Sequence, residues 1–567
     1  MPDKTNTSSA KKKIFIYIVL TIVTLAVYWQ VNKFDFVIID DPMYITENHH
    51  IQSGFTWNGL AWAFGIRNAA FWHPLTWLSF MLDYQLYGLN AGGYHITNII
   101  LHIISVLLLF WLFHRMTKAL WSSAFIAAFF ALHPLHLESV AWVTERKDVL
   151  CAFFWMLTLC LYVYYTEKPL IKRYLFVLLS FVCALMSKSM AITLPAVMIL
   201  LDFWPLSRFH GGNESKKGNV FLWQLKEKAF LFFLSIIFSI ITFNAQKGLS
   251  VEYPAFTLSS RIANALVSFV LYLEKLLWPH DMTFFYPFIN HYPVWQILAA
   301  IIIIIVITIT VFVMARKSPS LFVGWMWYVI TIAPVIGIIQ VSSQAMADRY
   351  IYLPSIGISI MLAWGVPFLF RNENIRQKIL FPAAIALLGM LALVTWKQCG
   401  YWKNSIELLN HALQIRSDVY IVHDCLGLAL SAQGNNKDAI DHFNQALRLK
   451  PDYANAFCNR GIAYIHSGQY ENAIQDLNEA IRLKPNHISA YYNRAMGYSQ
   501  IGQYDLAVRD YSESIRLKPD YADAYNNRGA IYLNLGNNEQ GCRDAQRACT
   551  WGVCKVLEVA KSKGDCH

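Results

Sequence analysis

The chain has 567 residues, 56% of them apolar and 15% charged, with a formal net charge of +11 and a mean hydropathy of +0.36. At this length such a composition excludes an ordinary water-soluble globule and puts most of the chain in lipid. The positive balance does not point to nucleic acid, because the basic residues gather in short segments between apolar runs, as they do in membrane proteins.

In chain order, Lys11, Lys12 and Lys13 precede an apolar stretch from Ile14 to Val31 that resembles a signal peptide. No small-x-small cleavage site follows, so the stretch reads as an uncleaved first span. Soon after it comes Asp40-Asp41-Pro42. Two adjacent carboxylates beside a membrane can divide the work of catalysis: one accepts a proton from a hydroxyl, and the other holds a divalent cation or orients the first. Asp before Pro is equally a favoured helix start, and both readings stay open at this point.

Runs of about 17 to 25 apolar residues mark spans. They are predicted at 14–31, 95–113, 119–135, 149–166, 174–187, 189–204, 229–245, 293–314, 320–340, 353–370 and 379–396, eleven in all. Between the third and fourth lies HPLHLESVAWVTERKD, where His133, His136, Glu138, Arg146 and Asp148 crowd a membrane boundary. Ionisable groups are costly there unless they serve a site. The two histidines and Glu138 are open to metal ligation or to hydrogen-bonded structural roles, and Pro134 inside the spacing argues against a zinc-protease arrangement. Arg146 and Lys147 suit a phosphate, to which guanidinium presents paired donors.

Lys188 is an isolated charge between two apolar helices. Residues 260–278 carry Arg261, Glu274 and Lys275, costly at mid-membrane, so this stretch is predicted to be re-entrant or interfacial. Further on, Asp348 and Arg349 directly precede a span. With 260–278 not crossing, nineteen basic residues fall on the N-terminal side of the membrane against nine on the other, over a longer stretch of chain. The bias predicts the N-terminus inside and the C-terminal part outside.

After Trp396 the long apolar runs stop, which sets the domain boundary near 398: a polytopic membrane domain at 1–398 and a soluble domain at 399–567. In the second, Pro451, Pro485 and Pro519 recur every 34 residues, and Gly434, Gly468, Gly502 and Gly536 keep the same step. This is the tetratricopeptide period, in which helical pairs stack into a curved solenoid with a concave groove. A lone helix from Tyr401 to Arg416 is expected to lead into it. Asn459, Asn493 and Asn527 recur on the first helix of successive units, each followed by Arg. They are candidates for holding the backbone of an acceptor peptide in the groove, with packing as the other reading. Cys542, Cys549, Cys554 and Cys566 fall within 25 residues of the C-terminus; outside the cytosol they favour two disulfides in any of three pairings, over a zinc site that lacks the usual C-x₂-C spacing. No Gly-rich loop of the nucleotide-binding kind is present.

As a set and in this order, the Asp40-Asp41 pair, WHPLTWLSF with YGLNAGGYHITNIILH, HPLHLESVAWVTERKD, LLWPHDMTFFYP, ADRYIYLPSIG and the trailing repeats resemble the transmembrane-and-tetratricopeptide-repeat-containing O-mannosyltransferases and their prokaryotic relatives. The resemblance covers nearly the whole chain. It implies an all-α fold: a polytopic helix bundle like the C-type glycosyltransferases, followed by the repeat solenoid. It also implies a polyprenyl-phosphate sugar as donor, a protein hydroxyl as acceptor, and no cofactor beyond a divalent cation at Asp40 and Asp41. Carried over by position, Asp40 and Asp41 take the base or metal role, with Glu138 beside them as a catalytic candidate. Arg146, Arg349 and Lys188 are expected to bind the donor phosphate, supported by His133, His136, Asp148 and Asp348. The expected partners are the lipid-linked sugar, membrane lipid and an acceptor protein held by the repeats, on the periplasmic or external face of an inner membrane. The other classes kept in view are transfer to a lipid or glycan, and a non-catalytic membrane-anchored scaffold. The repeat array is shorter than in the animal proteins, so the acceptor does not carry over.

Overall fold

Lipid cannot satisfy a free backbone amide, so long apolar stretches fold as helix. The computed structural model describes residues 4–65, 72–209, 220–246, 256–339, 344–370 and 372–566, and among them helix dominates. The described strands form one short antiparallel ladder, Tyr286–Pro287 against Gln344–Met346. The chain divides into two compact units, Met1–Leu408 and Leu409–His567.

In the first unit, six described helices are long and apolar enough to cross a membrane: Ala10–Lys33, Ala91–Thr117, Val143–Glu167, Val220–Ala245, Val294–Met314 and Glu373–Trp402. A seventh results if Leu120–Leu132 and Pro134–Ala141, bent by 55° at His133, count as one. The sequence reading expects eleven. The stretches at 189–204, 320–340 and 353–370 form the shorter apolar helices Ser189–Phe203, Pro319–Ile332 and Ser355–Leu369, and 174–187 lies in the 17-residue Ile171–Ser187. A helix enclosed by other helices is apolar all round whatever its length, so hydropathy alone counts it with the spans. Of the basic residues weighed for sidedness, Arg67, Lys216, Lys217, Lys247 and Arg371 lie outside the described residues.

The elements that bear on the site are Lys4–Tyr28 (α1), Pro74–Tyr87 (α2), Ala91–Thr117 (α3), Leu120–Leu132 (α4), Leu137–Ala141 (α5), Arg146–Glu167 (α6), Leu258–Leu277 (α7) and Phe381–Cys399 (α8). Residues 260–278, expected to be re-entrant or interfacial, lie almost wholly in α7, one unbroken 20-residue helix. Its polar ridge explains the composition. Asn264 Nδ2 donates to Ala345 O at 2.9 Å, Ser268 Oγ to the same oxygen at 3.4 Å, and Tyr272 OH to Ala347 O at 3.0 Å. The four-residue spacing keeps all three on one helix face, where they hold the segment leading into Asp348 and Arg349.

The second unit follows the 34-residue period. The helix Ser405–Ile415 contains the boundary, and the pairs are Tyr420–Ala432 with Asn436–Leu449, Ala454–His466 with Tyr470–Leu483, Ile488–Gln500 with Tyr504–Leu517, and Ala522–Asn534 with Asn538–Thr550. Gly434, Gly468, Gly502 and Gly536 adopt φ of +81°, +73°, +78° and +77° in the tight turns between paired helices, a region that costs glycine nothing. Ala439, Ala473 and Ala507 are fully buried where the helices touch. The arginine after each recurrent asparagine forms a ladder: Arg460 with Asp476, Arg494 with Asp510 and Arg528 with Asp544, at 2.7, 2.6 and 2.7 Å. Each is two-pronged, with the second nitrogen on the other carboxylate oxygen. Arg494→Ala strands a buried Asp510, so hydrogen exchange in Ile488–Leu517 should accelerate by the equivalent of about 1–3 kcal/mol, against no change in the first unit. Unaltered exchange there would mean the ladder contributes nothing. The C-terminal helix Lys555–Lys563 is tied by disulfides Cys542–Cys566 and Cys549–Cys554.

Candidate functional site

The bend between α4 and α5 is made by the histidines. His133 Nε2 donates to Leu276 O at 3.0 Å while its Nδ1 accepts from Leu135 N at 3.2 Å. His136 Nδ1 donates to Phe130 O at 2.7 Å, and its Nε2 lies 2.9 Å from Ser355 Oγ. Both rings are fully buried. Their nitrogens are spent on shaping the turn, which favours the structural of the two readings; Pro134 next to His133 starts the short helical turn that follows.

The turn leads into α5 and the start of α6, where the charged side chains of HPLHLESVAWVTERKD separate into two groups. Arg146 is fully buried. Its guanidinium pairs with Asp83 of α2 at 2.6 Å, donates to Tyr94 O at 2.9 Å and bonds the Asn98 side chain of α3. Asn98 Nδ2 in turn reaches Val140 O and Trp142 O at 3.3 and 3.2 Å. This arginine therefore locks α2, α3 and α6 together and is not free to take a phosphate, contrary to the sequence reading. Neither Asp83 nor Asn98 stood out in the sequence, since one carboxylate or amide in an apolar helix has no local pattern.

The second group is the candidate site. Glu145, to which the sequence reading gave no role, is its centre. Lys147 Nζ lies 3.2 Å from it, Arg349 Nε 3.2 Å and Lys188 Nζ 3.9 Å. Arg349 also pairs with Glu138, whose Oε2 accepts the Arg349 backbone N–H at 3.0 Å. Lys188 also pairs with Asp148, which accepts from Ser139 Oγ at 3.1 Å. The sequence candidates Glu138, Asp148, Lys188 and Arg349 thus converge, although they come from segments more than 200 residues apart. The carboxylates sit behind and the cations in front: Glu138, Glu145 and Asp148 side chains are 1–3% exposed, whereas Lys147, Lys188 and Arg349 keep 11–16%. A balanced network layered in this way presents a positive face to anything that reaches it. Glu138 is consumed by Arg349, so it positions that cation rather than acting as a base.

Asp348 stands next to this group, with Tyr286 OH donating to both its oxygens at 2.9 and 3.1 Å. Burial pushes its carboxyl up to about 6, against the pull of Lys275.

The two adjacent aspartates differ sharply. Asp41 is buried and its oxygens are fully engaged: Oδ2 accepts from Val37 N at 2.8 Å, and Oδ1 accepts from Thr144 N at 3.2 Å and from the Thr144 hydroxyl. It pins residues 37–41 to the turn before α6. Burial raises its carboxyl to about 7 despite those donors. Asp40 is half-buried; its backbone carbonyl accepts from Tyr44 N at 3.1 Å, and its carboxylate makes no hydrogen bond among the described residues. Burial moves its carboxyl above the usual range, Lys147 and Arg349 pull it back, and Glu145 raises it again. Both Asp41 oxygens are thus already engaged, and among the described residues no group of three or more His, Cys, Asp or Glu is placed to hold a metal ion.

Two buried polar groups at this spot have no partner among the described residues, the Tyr44 hydroxyl and the Trp142 indole N–H. Both belong to side chains that flank the cations: Lys147 Nζ stands 5.2 Å from the Tyr44 ring centre, and the Arg349 guanidinium 5.5 Å from that of Trp142. Tyr44 stacks on Trp77 at 4.7 Å, and Trp77 on His73 at 4.8 Å. Buried polar groups in native proteins are almost always satisfied, so orphans beside a charged cluster mark a place for a ligand.

In the repeats, Asn459 Nδ2 donates to Asp424 at 2.9 Å and Asn527 Nδ2 to Tyr492 OH at 3.0 Å, each in the preceding unit, while Asn493 Nδ2 donates to Ser489 O at 2.7 Å. Each amide spends one donation between or within helices, a packing role, and keeps a second N–H.

Tetratricopeptide-repeat family models match residues 427–467 and 497–536, 454–487, and 522–551. A protein O-mannosyl-transferase of Caenorhabditis elegans is 25% identical over 381 residues, 65% of this chain and 52% of its own. Protein O-mannosyl-transferase TMTC4 of Mus musculus is 25% identical over 468 residues, 71% of this chain and 62% of its own. The chain thus spans between about half and three-fifths of the length of these curated relatives. Among solved structures, that of MamA is 24% identical, with a TM-score of 0.25, covering 28% of this chain and 90% of that one. With its apolar helices and its tetratricopeptide repeats, the chain is a membrane and repeat protein similar to curated proteins named protein O-mannosyl-transferases.

Proposed function

We propose that the membrane unit transfers a sugar, mannose by analogy with the names of its relatives, from a polyprenyl-phosphate carrier to a serine or threonine hydroxyl of a protein on the non-cytosolic side. One observation carries the reading: a carboxylate without a hydrogen bond, Asp40, stands against the positive face made by Lys147, Lys188 and Arg349. In this scheme the cations take the donor phosphate, Tyr44 and Trp142 offer hydrogen bonds to the sugar or phosphate oxygens, and the stacked Tyr44–Trp77–His73 rings wall the pocket. Asp40 removes the acceptor hydroxyl proton as the oxygen attacks the anomeric carbon, the bond to the phosphate oxygen breaks, and the lipid phosphate leaves with the electron pair. Direct displacement inverts the anomeric centre. No step requires a metal ion, and a divalent cation beside Asp40 remains a separate proposal, tested by adding a chelator.

The repeats supply a surface of the kind that binds peptide or protein, and we assign the acceptor protein to them. The test is label transfer from polyprenyl-phosphate [³H]mannose to endogenous protein by the purified chain. Label on protein supports the reading; label on lipid or glycan moves the acceptor class, and none on any acceptor leaves a membrane-anchored scaffold. Tyr44→Phe removes an oxygen that has no hydrogen-bond partner among the described residues. It should therefore leave the unfolding midpoint unchanged and lower kcat/KM about five- to tenfold, the worth of one hydrogen bond; full activity would take Tyr44 out of the site.

A further inference from the structure

A second place gathers cations, and it lies outside the network around Glu145. The crossing that contains α1 ends at Lys33, and the one that contains α8 ends at Trp402. These two ends, 366 residues apart, are joined directly: Gln30 Nε2 donates to Trp396 O at 2.6 Å, and Asp35 N to Lys403 O at 3.0 Å. Between them is a cavity of ≈ 370 Å³ walled by Trp29, Trp396 and Phe34 and bordered by Lys33 and Lys403. Both lysines are exposed. Among the described residues neither has a carboxylate partner, and no other charged side chain lines the cavity. Two like charges brought to one cleft with low-dielectric walls raise its potential for an anion.

The walls say which anion. Inorganic phosphate gains nothing from two indoles and a phenyl ring, whereas an amphiphile fills them. Trp29 and Trp396 are each more than half exposed, at 53% and 56%, and stand near the ends of candidate crossings, the depth at which tryptophan and lysine meet lipid headgroups. Snorkelling lysines ordinarily reach separately into water; here hydrogen bonds between the two chain ends bring a pair to one cavity.

We propose that this cavity holds one anionic phospholipid of the surrounding bilayer, its phosphate between Lys33 and Lys403 and its glycerol and first methylenes against Trp29, Trp396 and Phe34. The lipid bridges the ends of α1 and α8. The site shares no residue with the Asp40 network and does not depend on the transfer reading.

Native mass spectrometry of the full chain in mild detergent tests it, with dioleoyl phosphatidylglycerol, dioleoyl phosphatidylcholine and inorganic phosphate as separate probes. The wild type should retain one phosphatidylglycerol about 30-fold better than phosphatidylcholine, K33Q and K403Q should each lose about fivefold of that preference, and K33R/K403R should keep it. The single variants carry the test even if the double glutamine variant fails to fold. Equal retention by the wild type and both glutamine variants overturns the proposal. So does displacement of phosphatidylglycerol by millimolar inorganic phosphate, which assigns the cavity to a free anion.

Discussion

Asp40→Asn should cut sugar transfer by about 10²- to 10⁴-fold, the usual worth of a positioned general base, and leave thermal unfolding of the purified protein unchanged. Both halves follow from one feature. The Asp40 carboxylate makes no hydrogen bond among the described residues, so replacing it strands no donor, yet it is the carboxylate that the cations Lys147 and Arg349 face from the accessible side. Asp41→Asn should behave oppositely. Its carboxylate accepts three hydrogen bonds, and an amide can accept at one oxygen only while turning an N–H toward another donor. The expected loss is about 1–3 kcal/mol of stability, with activity falling because the segment that carries Asp40 loosens. Since burial holds the Asp40 carboxyl above the ordinary carboxylate range, and a base acts only when ionised, the wild-type rate should rise with pH through that raised value. A stable, fully active Asp40→Asn protein would remove the assignment; a stable but inactive Asp41→Asn protein would transfer it to the neighbour.

The largest effect on stability is expected at Arg146. Arg146→Ala leaves Asp83 buried without its cation, at a cost of about 3–5 kcal/mol, and also frees Asn98 from the contact that links α3 to α6. Because a buried pair contributes little beyond what a well-packed apolar pair would, Asp83→Leu with Arg146→Met should recover most of the loss. Arg146→Lys should not, since one ammonium group cannot reach Asp83, Asn98 and Tyr94 O in the fork geometry of guanidinium. The readout is the unfolding midpoint in detergent, with unchanged transfer per folded molecule in the Leu/Met double variant. An Arg146→Ala protein as stable as the wild type would refute the locking role. Donor affinity lost in the Leu/Met variant despite restored stability would return Arg146 to phosphate binding.

These two experiments touch the points at which sequence and structure part. By itself the sequence determined that the chain is helical, that its first part belongs in a membrane, and that a 34-residue repeat follows. Each of these rests on a period or a run, and a period is local: the chain displays it without folding. The density of charge in HPLHLESVAWVTERKD was equally legible, and so was the Asp40-Asp41 pair. What each charge does was not. Arg146, Lys147, Glu145 and Asp148 are near neighbours in one segment, yet Arg146 faces Asp83 and Asn98 while Glu145 and Asp148 face Arg349 and Lys188, and Lys147 pairs with Glu145. Asp40 and Asp41 are adjacent, yet the Asp41 carboxylate is taken by Thr144 and Val37 while that of Asp40 makes no hydrogen bond among the described residues. In each case the outcome depends on which distant residue arrives opposite, and hydrogen bonding in a low-dielectric interior is decided by that partner. An apolar run likewise says only that a helix is out of water, and packing decides whether lipid or protein surrounds it.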